Sequence, residues 1–306
     1  MNIRTLHKSF INSRFPLIIT LLIFIAVRIL CMDEGKALDL WGSMFIQIGI
    51  ALYLSQFTQK YVIIRQKTLL PTFFYLLLVG TNPLFFYDFW ASVSVSLILL
   101  CFRFLFDTYQ NPSSQRNALN ISLVLALGSF YWVPLLLFIP LFWYGMYLFK
   151  SLNFKTFFAS LMGLAMVCLF LLAWGIYKND RTFFIQILPD WGVLWDFRYP
   201  SMISTEEWIT DFFLCILLIL SVVKIFMAGV SEKAQAKTFF GYLSLLTVVI
   251  FIFFLSQNQW KKEWLLILHL PVSIILAHYF TLSSKPVTAW LFVLAIVFFV
   301  LRFVWW

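Results

Sequence analysis

Apolar runs long enough to cross a lipid bilayer follow one another along almost the whole chain. No other feature limits the fold so tightly. Eleven candidate runs can be read, at residues 15–32, 38–56, 69–86, 90–106, 118–131, 133–149, 157–177, 208–227, 239–255, 264–280 and 286–305, that at 118–131 being the shortest. A spanning helix needs about 20 such residues. Of the 306 residues, 62% are hydrophobic and only 11% charged, against roughly 25% charged in a soluble domain. One aqueous core cannot hide that much apolar surface. The expected fold is therefore all-α: a polytopic transmembrane helical bundle of about 11 spans, one integral membrane domain over residues 1–306. No soluble domain is expected, because the longest stretch between apolar runs is 178–207.

Three of the runs are irregular. Thr81-Asn82-Pro83 interrupts the third, which reads as a helix followed by a re-entrant turn. Gly128 and Pro134 break the stretch between Ala118 and Phe149 near its middle, and Pro140 introduces a kink in its second half. Irregular backbone at membrane depth must be shielded by protein or water.

Charge sets the expected orientation. With the N-terminus in the cytoplasm and eleven alternating spans, only eight of the 22 basic residues fall at the outer side: Arg28, Lys36, Lys178, Arg181, Arg198, Lys261, Lys262 and Arg302. Of the 13 acidic residues, only Asp107 and Glu232 fall inside. That is the positive-inside pattern, with Lys261-Lys262 as the exception. The net charge of +9 thus reads as a topology signal. It does not imply nucleic acid, since no basic stripe stands on a soluble fold. The first apolar run closes on Cys31-Met32 and is followed by Asp33-Glu34, with no small-residue cleavage site, so it reads as a span and not as a cleaved signal. The expected location is a bacterial inner membrane, in multiple passes.

Polar residues inside the runs have ordinary explanations. Arg28, Arg103, Lys224 and Arg302 lie near run ends and are expected to snorkel toward headgroups. Gln47 and Asn120 read as interhelical glue, and Ala159-x-x-x-Gly163 as a small-residue helix contact. His269 and His278 stand nine apart, on opposite helix faces, so they cannot share a metal. Cys31, Cys101, Cys168 and Cys215 have no metal-ligand spacing. No nucleophile elbow, phosphate loop or zinc-protease signature occurs.

The outer side concentrates polar groups in two places. One is Asp33-Glu34-Gly35-Lys36; the other is the loop over 178–207, containing Asp190, Trp195, Asp196, Arg198 and Tyr199. Phe183, Phe184, Ile187, Leu188, Trp191 and Leu194 are too apolar for free solution, so this loop is expected to lie on the membrane interface. Ser204 and Glu207 have capping-box spacing at the start of the next helix. Aromatic faces, carboxylates and an arginine together suit a sugar or a lipid phosphate. Asp33 or Glu34 is the expected catalytic carboxylate, acting as a base or holding a divalent cation. Asp190, Trp195, Asp196, Arg198 and Tyr199 are the expected substrate contacts, with Arg198 on a phosphate.

The runs RQKTLLPTFFY at 65–75, FKTFFASLMG at 154–163 and HLPVSIILAHYF at 269–280 resemble a family of uncharacterised polytopic inner-membrane proteins of Bacteroidetes. That resemblance implies a location and an architecture, not a reaction. The chain is also similar in layout to family-C membrane glycosyltransferases: a cytoplasmic N-terminus, many spans and an acidic residue, here Asp33-Glu34, on the first outer loop. It departs from them in the shortness of that loop and in lacking a C-terminal soluble domain. Three readings stay open. One is a transferase using polyprenyl-linked sugars at the outer face, with membrane and polyprenyl-phosphate lipids as partners. The others are a non-catalytic subunit or scaffold in envelope biogenesis, and a transporter or lipid flippase.

Overall fold

The computed structural model describes residues 13, 15–31, 34–178, 205–227, 234–257, 260–282 and 286–305. Among them the chain is all-α. The helices are α1 (Phe15–Leu30), α2 (Ala37–Lys60), α3 (Leu70–Gly80), α4 (Phe89–Phe106), α5 (Gln115–Gly128), α6 (Phe138–Leu148), α7 (Phe154–Lys178), α8 (Thr205–Met227), α9 (Ala234–Ser256), α10 (Lys261–Leu282) and α11 (Pro286–Trp305). Six of these, α2, α4, α7, α8, α9 and α10, are long and apolar enough to cross a membrane, and they mark the chain as a membrane protein.

The described residues fall into two compact units. The first draws on Met1–Val95, Ser201–Phe253 and Trp260–Trp306, the second on Ser96–Pro200 and Phe254–Gln259.

The first unit is built around α3 and α10. All eleven residues of α3 are buried, and it packs on α1, α2, α10 and α11. In α10 every residue from Trp264 to Phe280 is buried. Lipid chains are as apolar as leucine, so helices here gain by close fit and dispersion rather than by leaving water. Ring packing supplies the fit. Phe74 stacks on Phe280 at 5.4 Å, and Phe292 of α11 meets both rings. Thr72 Oγ1 donates to the Ala51 carbonyl at 2.7 Å, tying α3 to α2. The absent side chain of Gly80 makes room for Phe24 of α1.

Helix α3 ends early for local reasons. At 1.5 Å per residue it is about 16 Å long, roughly half the hydrocarbon thickness. Pro83 forces Asn82 into an extended conformation (φ −113°, ψ 105°). The Asn82 side chain then accepts from Leu84 N–H at 3.2 Å and starts a short 3-10 turn, Pro83–Phe85. The interruption expected at Thr81-Asn82-Pro83 is thus present. It leaves the Phe85 and Phe86 carbonyls outside any α-helix.

In the second unit α5 and α7 pack most extensively. A Cβ on Gly163 would stand 2.7 Å from the Leu119 carbonyl oxygen, so only glycine permits this approach. Beside it, Ser122 Oγ and Ser160 Oγ share a hydrogen bond of 2.6 Å, and Trp143 Nε1 donates to Ser160 Oγ at 2.7 Å. The small-residue contact read at Ala159 and Gly163 is therefore an α5–α7 seam. The break expected between Ala118 and Phe149 separates α5 from α6, with a 3-10 turn over Val133–Leu137.

Candidate functional site

The interrupted third segment creates a demand for donors. Two backbone carbonyls lie off the helix, among apolar side chains, where unpaired polar groups are costly. Arg28, two residues from the end of α1, meets that demand. Its side chain is fully buried. Nη1 donates to Ser43 Oγ at 2.9 Å and to the Phe86 carbonyl at 3.2 Å. Nη2 donates to Gln47 Oε1 and, at 3.5 Å, to the Phe85 carbonyl.

Gln47 of α2 completes the node. Its Nε2 donates to Ser92 Oγ of α4 at 2.8 Å and to the Phe85 carbonyl at 3.3 Å. Ser43 Oγ bonds the Phe86 carbonyl. The Phe24 and Phe86 rings each lie 4.7 Å from the guanidinium carbon, a cation–π pair. One guanidinium thus ties α1, α2, the 3-10 turn and, through Gln47, α4. Every acceptor around it is neutral. Of the guanidinium nitrogens only Nε, buried like the others, has no partner. A polar network of this kind inside a low-dielectric interior rigidifies what it joins.

What it holds in place is the edge that follows. Tyr87 and Asp88 come directly after Phe86. Tyr87 hydroxyl donates to the Cys31 carbonyl, and Lys36 Nζ lies 5.7 Å from the Tyr87 ring. Asp88 Oδ1 accepts from Ala91 N–H at 3.1 Å and so caps α4. Asp88 and Glu263, in the first turn of α10, are both half-buried, and they are within electrostatic reach of each other. Two carboxylates that share a partly enclosed edge are suited to proton transfer or cation binding. On the other flank of the 3-10 turn, Phe85 meets the His269 ring edge-on at 5.5 Å.

The residues expected from sequence are distributed differently. Asp33, Asp190, Trp195, Asp196, Arg198 and Tyr199 lie outside the described residues, as does Ser204 of the expected capping box. Glu34 begins a 3-10 turn, Glu34–Lys36, that leads into α2. Among the described residues no group of three or more His, Cys, Asp or Glu side chains is placed to hold a metal ion.

Arg28 corrects an expectation. It does not snorkel to the surface but turns inward, because unpaired carbonyls are within its reach. Arg302 is also buried, whereas Arg103 is exposed as expected. Gln47 is interhelical glue, as its place in an apolar run suggested. Ser43, Asp88 and Glu263 were missed. The available signal was the pairing of polar residues in adjacent runs, Arg28 with Gln47, next to a run broken by proline.

No curated protein matches the chain, and no solved structure does. One family model does match, from residue 2 to residue 304, and its description is a family of unknown function. The chain belongs to that family, DUF6427.

Proposed function

We propose that the chain is an eleven-span protein of a bacterial inner membrane, with a cytoplasmic N-terminus. On this reading it acts as a glycosyltransferase-like enzyme on polyprenyl-linked sugars at the outer face. The observation that carries the reading is that Asp88 and Glu263 are half-buried and within electrostatic reach of each other, with Asp88 two residues after the Phe86 carbonyl that Arg28 holds. In the proposed topology this edge lies on the same side as Asp33, Glu34 and the 178–207 loop.

In the proposed reaction a carboxylate takes the proton of an acceptor hydroxyl. The hydroxyl oxygen attacks the anomeric carbon, and the bond from that carbon to the polyprenyl phosphate breaks. The electron pair leaves with the phosphate. Asp33, Glu34, Asp88 and Glu263 are the candidate bases or cation ligands. Arg198 takes the phosphate, and Asp190, Trp195, Asp196 and Tyr199 contact the sugar and lipid. Arg28 is a positioning residue, because it is sealed from solvent by its own chain.

A second reading, a non-catalytic scaffold in envelope biogenesis, is favoured by that same closure of Arg28. The two separate by experiment. Asp88→Asn with Glu263→Gln, and independently Asp33→Asn with Glu34→Gln, are assayed for sugar transfer from a polyprenyl-phosphate donor in membranes and for envelope glycans in cells. Loss of transfer at unchanged protein level supports the enzyme. Wild-type glycans from both pairs would leave the scaffold.

A further inference from the structure

At the far end of α10 from Glu263, by about 22 Å at 1.5 Å per residue, lies a cavity of about 360 Å³. It is lined by Arg65, Gln66, His278, Thr281 and Leu282. The volume lies in the range of about 300–1,000 Å³ typical of ligand pockets.

The loop that forms one wall is constructed rather than loose. Val62 adopts a positive φ of 49°, and Ile63 N–H bonds back to the Thr58 carbonyl at 3.0 Å. Ile63, Ile64 and Thr68 are buried, and Thr68 Oγ1 accepts from Leu70 N–H at 3.2 Å. This pins both ends of the tripeptide Arg65-Gln66-Lys67, whose three side chains are exposed. Arg65 forms no ion pair among the described residues. The opposite wall is the last turn of α10. His278 is buried there and stacks on Phe240 at 4.0 Å. Lys224 Nζ lies 4.8 Å from the neighbouring Tyr279 ring, adding a further cation at this end.

We infer that the cavity between the 61–69 loop and the C-terminal turn of α10 binds the phosphate group of an anionic ligand. An arginine fork recognises phosphate oxygens bidentately, and the glutamine and histidine side chains can donate hydrogen bonds, whereas Thr281 Oγ1 already donates to the His278 carbonyl at 2.8 Å. Leu282 provides an apolar contact next to the head. Basic pockets between helices on the cytoplasmic side are where anionic headgroups dock. The site is independent of the transferase reading, since it lies at the opposite end of α10.

The test uses the full chain in a neutral detergent. Retention of dioleoyl phosphatidylglycerol is measured by native mass spectrometry, with dioleoyl phosphatidylcholine as the zwitterionic control. Glycerol 3-phosphate and inorganic phosphate are added as soluble competitors. Wild type should retain phosphatidylglycerol over phosphatidylcholine. Arg65→Gln should lose roughly fivefold or more of that retention, the worth of one cation against an anionic headgroup, and Arg65→Lys should recover part of it. Gln66→Glu should also lose retention by repulsion. Both side chains are exposed, so lipid-free melting temperatures should match wild type. Retention insensitive to the soluble competitors identifies a lipid headgroup; displacement of the lipid by them identifies a soluble phosphate ligand. If Arg65→Gln and Gln66→Glu bind all these anions as wild type does, or if wild type binds none, the inference is overturned.

Discussion

Removing Gln47 should harm the protein more than removing Arg28, although Arg28 is the larger and charged group. The asymmetry follows from which atoms lose their partners. In Arg28→Met, the Phe86 carbonyl keeps Ser43 Oγ, and the Phe85 carbonyl keeps Gln47 Nε2 at 3.3 Å. Ser43 Oγ loses an incoming donor but still bonds the Phe86 carbonyl, so only Gln47 Oε1 is left with no partner. One such orphan costs about 1–3 kcal/mol, partly offset because a guanidinium no longer has to be buried. A net cost of about 1–2 kcal/mol is expected.

In Gln47→Leu the guanidinium stays buried and loses its amide acceptor. A hydrogen bond to a charged group is worth about 1.5–3 kcal/mol. The Phe85 carbonyl is also left with only the long 3.5 Å contact from Nη2. The expected cost is about 3 kcal/mol. The double variant Arg28→Met with Gln47→Leu strands the Phe85 carbonyl alone, at about 2 kcal/mol. The double should therefore be more stable than Gln47→Leu by itself, a coupling of about 2–3 kcal/mol. Unfolding free energies by steric trapping in bicelles, or the order of melting temperatures in detergent, report this directly. A Gln47→Leu variant no less stable than Arg28→Met, or two single effects that simply add, would show that the node is not coupled in this way.

Gly163→Val should loosen the α5–α7 seam by about 1–3 kcal/mol through overpacking, because its Cβ meets the Leu119 carbonyl oxygen at 2.7 Å. Gly49→Ala, where a Cβ meets nothing within 4 Å, should hold the melting temperature or raise it slightly, because alanine favours the helix interior over glycine by about 0.5–1 kcal/mol. Ser160→Ala removes the acceptor of Trp143 Nε1. It should cost about 1 kcal/mol and shift tryptophan emission, read by fluorescence during unfolding. Ser113 is exposed at the α4–α5 connection. In a cysteine-free background, Ser113→Cys should react with an impermeant maleimide only after the cytoplasmic side is opened; labelling of intact cells would reverse the proposed orientation.

Local chemistry made much of this fold legible in the chain itself. Apolar run length marks helices that belong in lipid. Pro83 fixes its own φ and constrains Asn82, so the break after Gly80 needs no distant partner. Gly163 announces a close helix contact because no other residue lets two backbones approach so nearly. The direction taken by Arg28 is another matter. In an isolated helix near a membrane surface, its long side chain reaches the headgroups at little cost. Only the folding of residues 58 positions away brings the Phe86 carbonyl to 3.2 Å and reverses that preference. The same holds for Asp88 and Glu263, ordinary acidic residues at helix starts until packing of α10 against the turn at Pro83–Phe85 brings them within reach of each other. Helix positions follow from interactions within a few residues. The node and the carboxylate pair depend on contacts across dozens to well over a hundred residues, and only the tertiary structure supplies those.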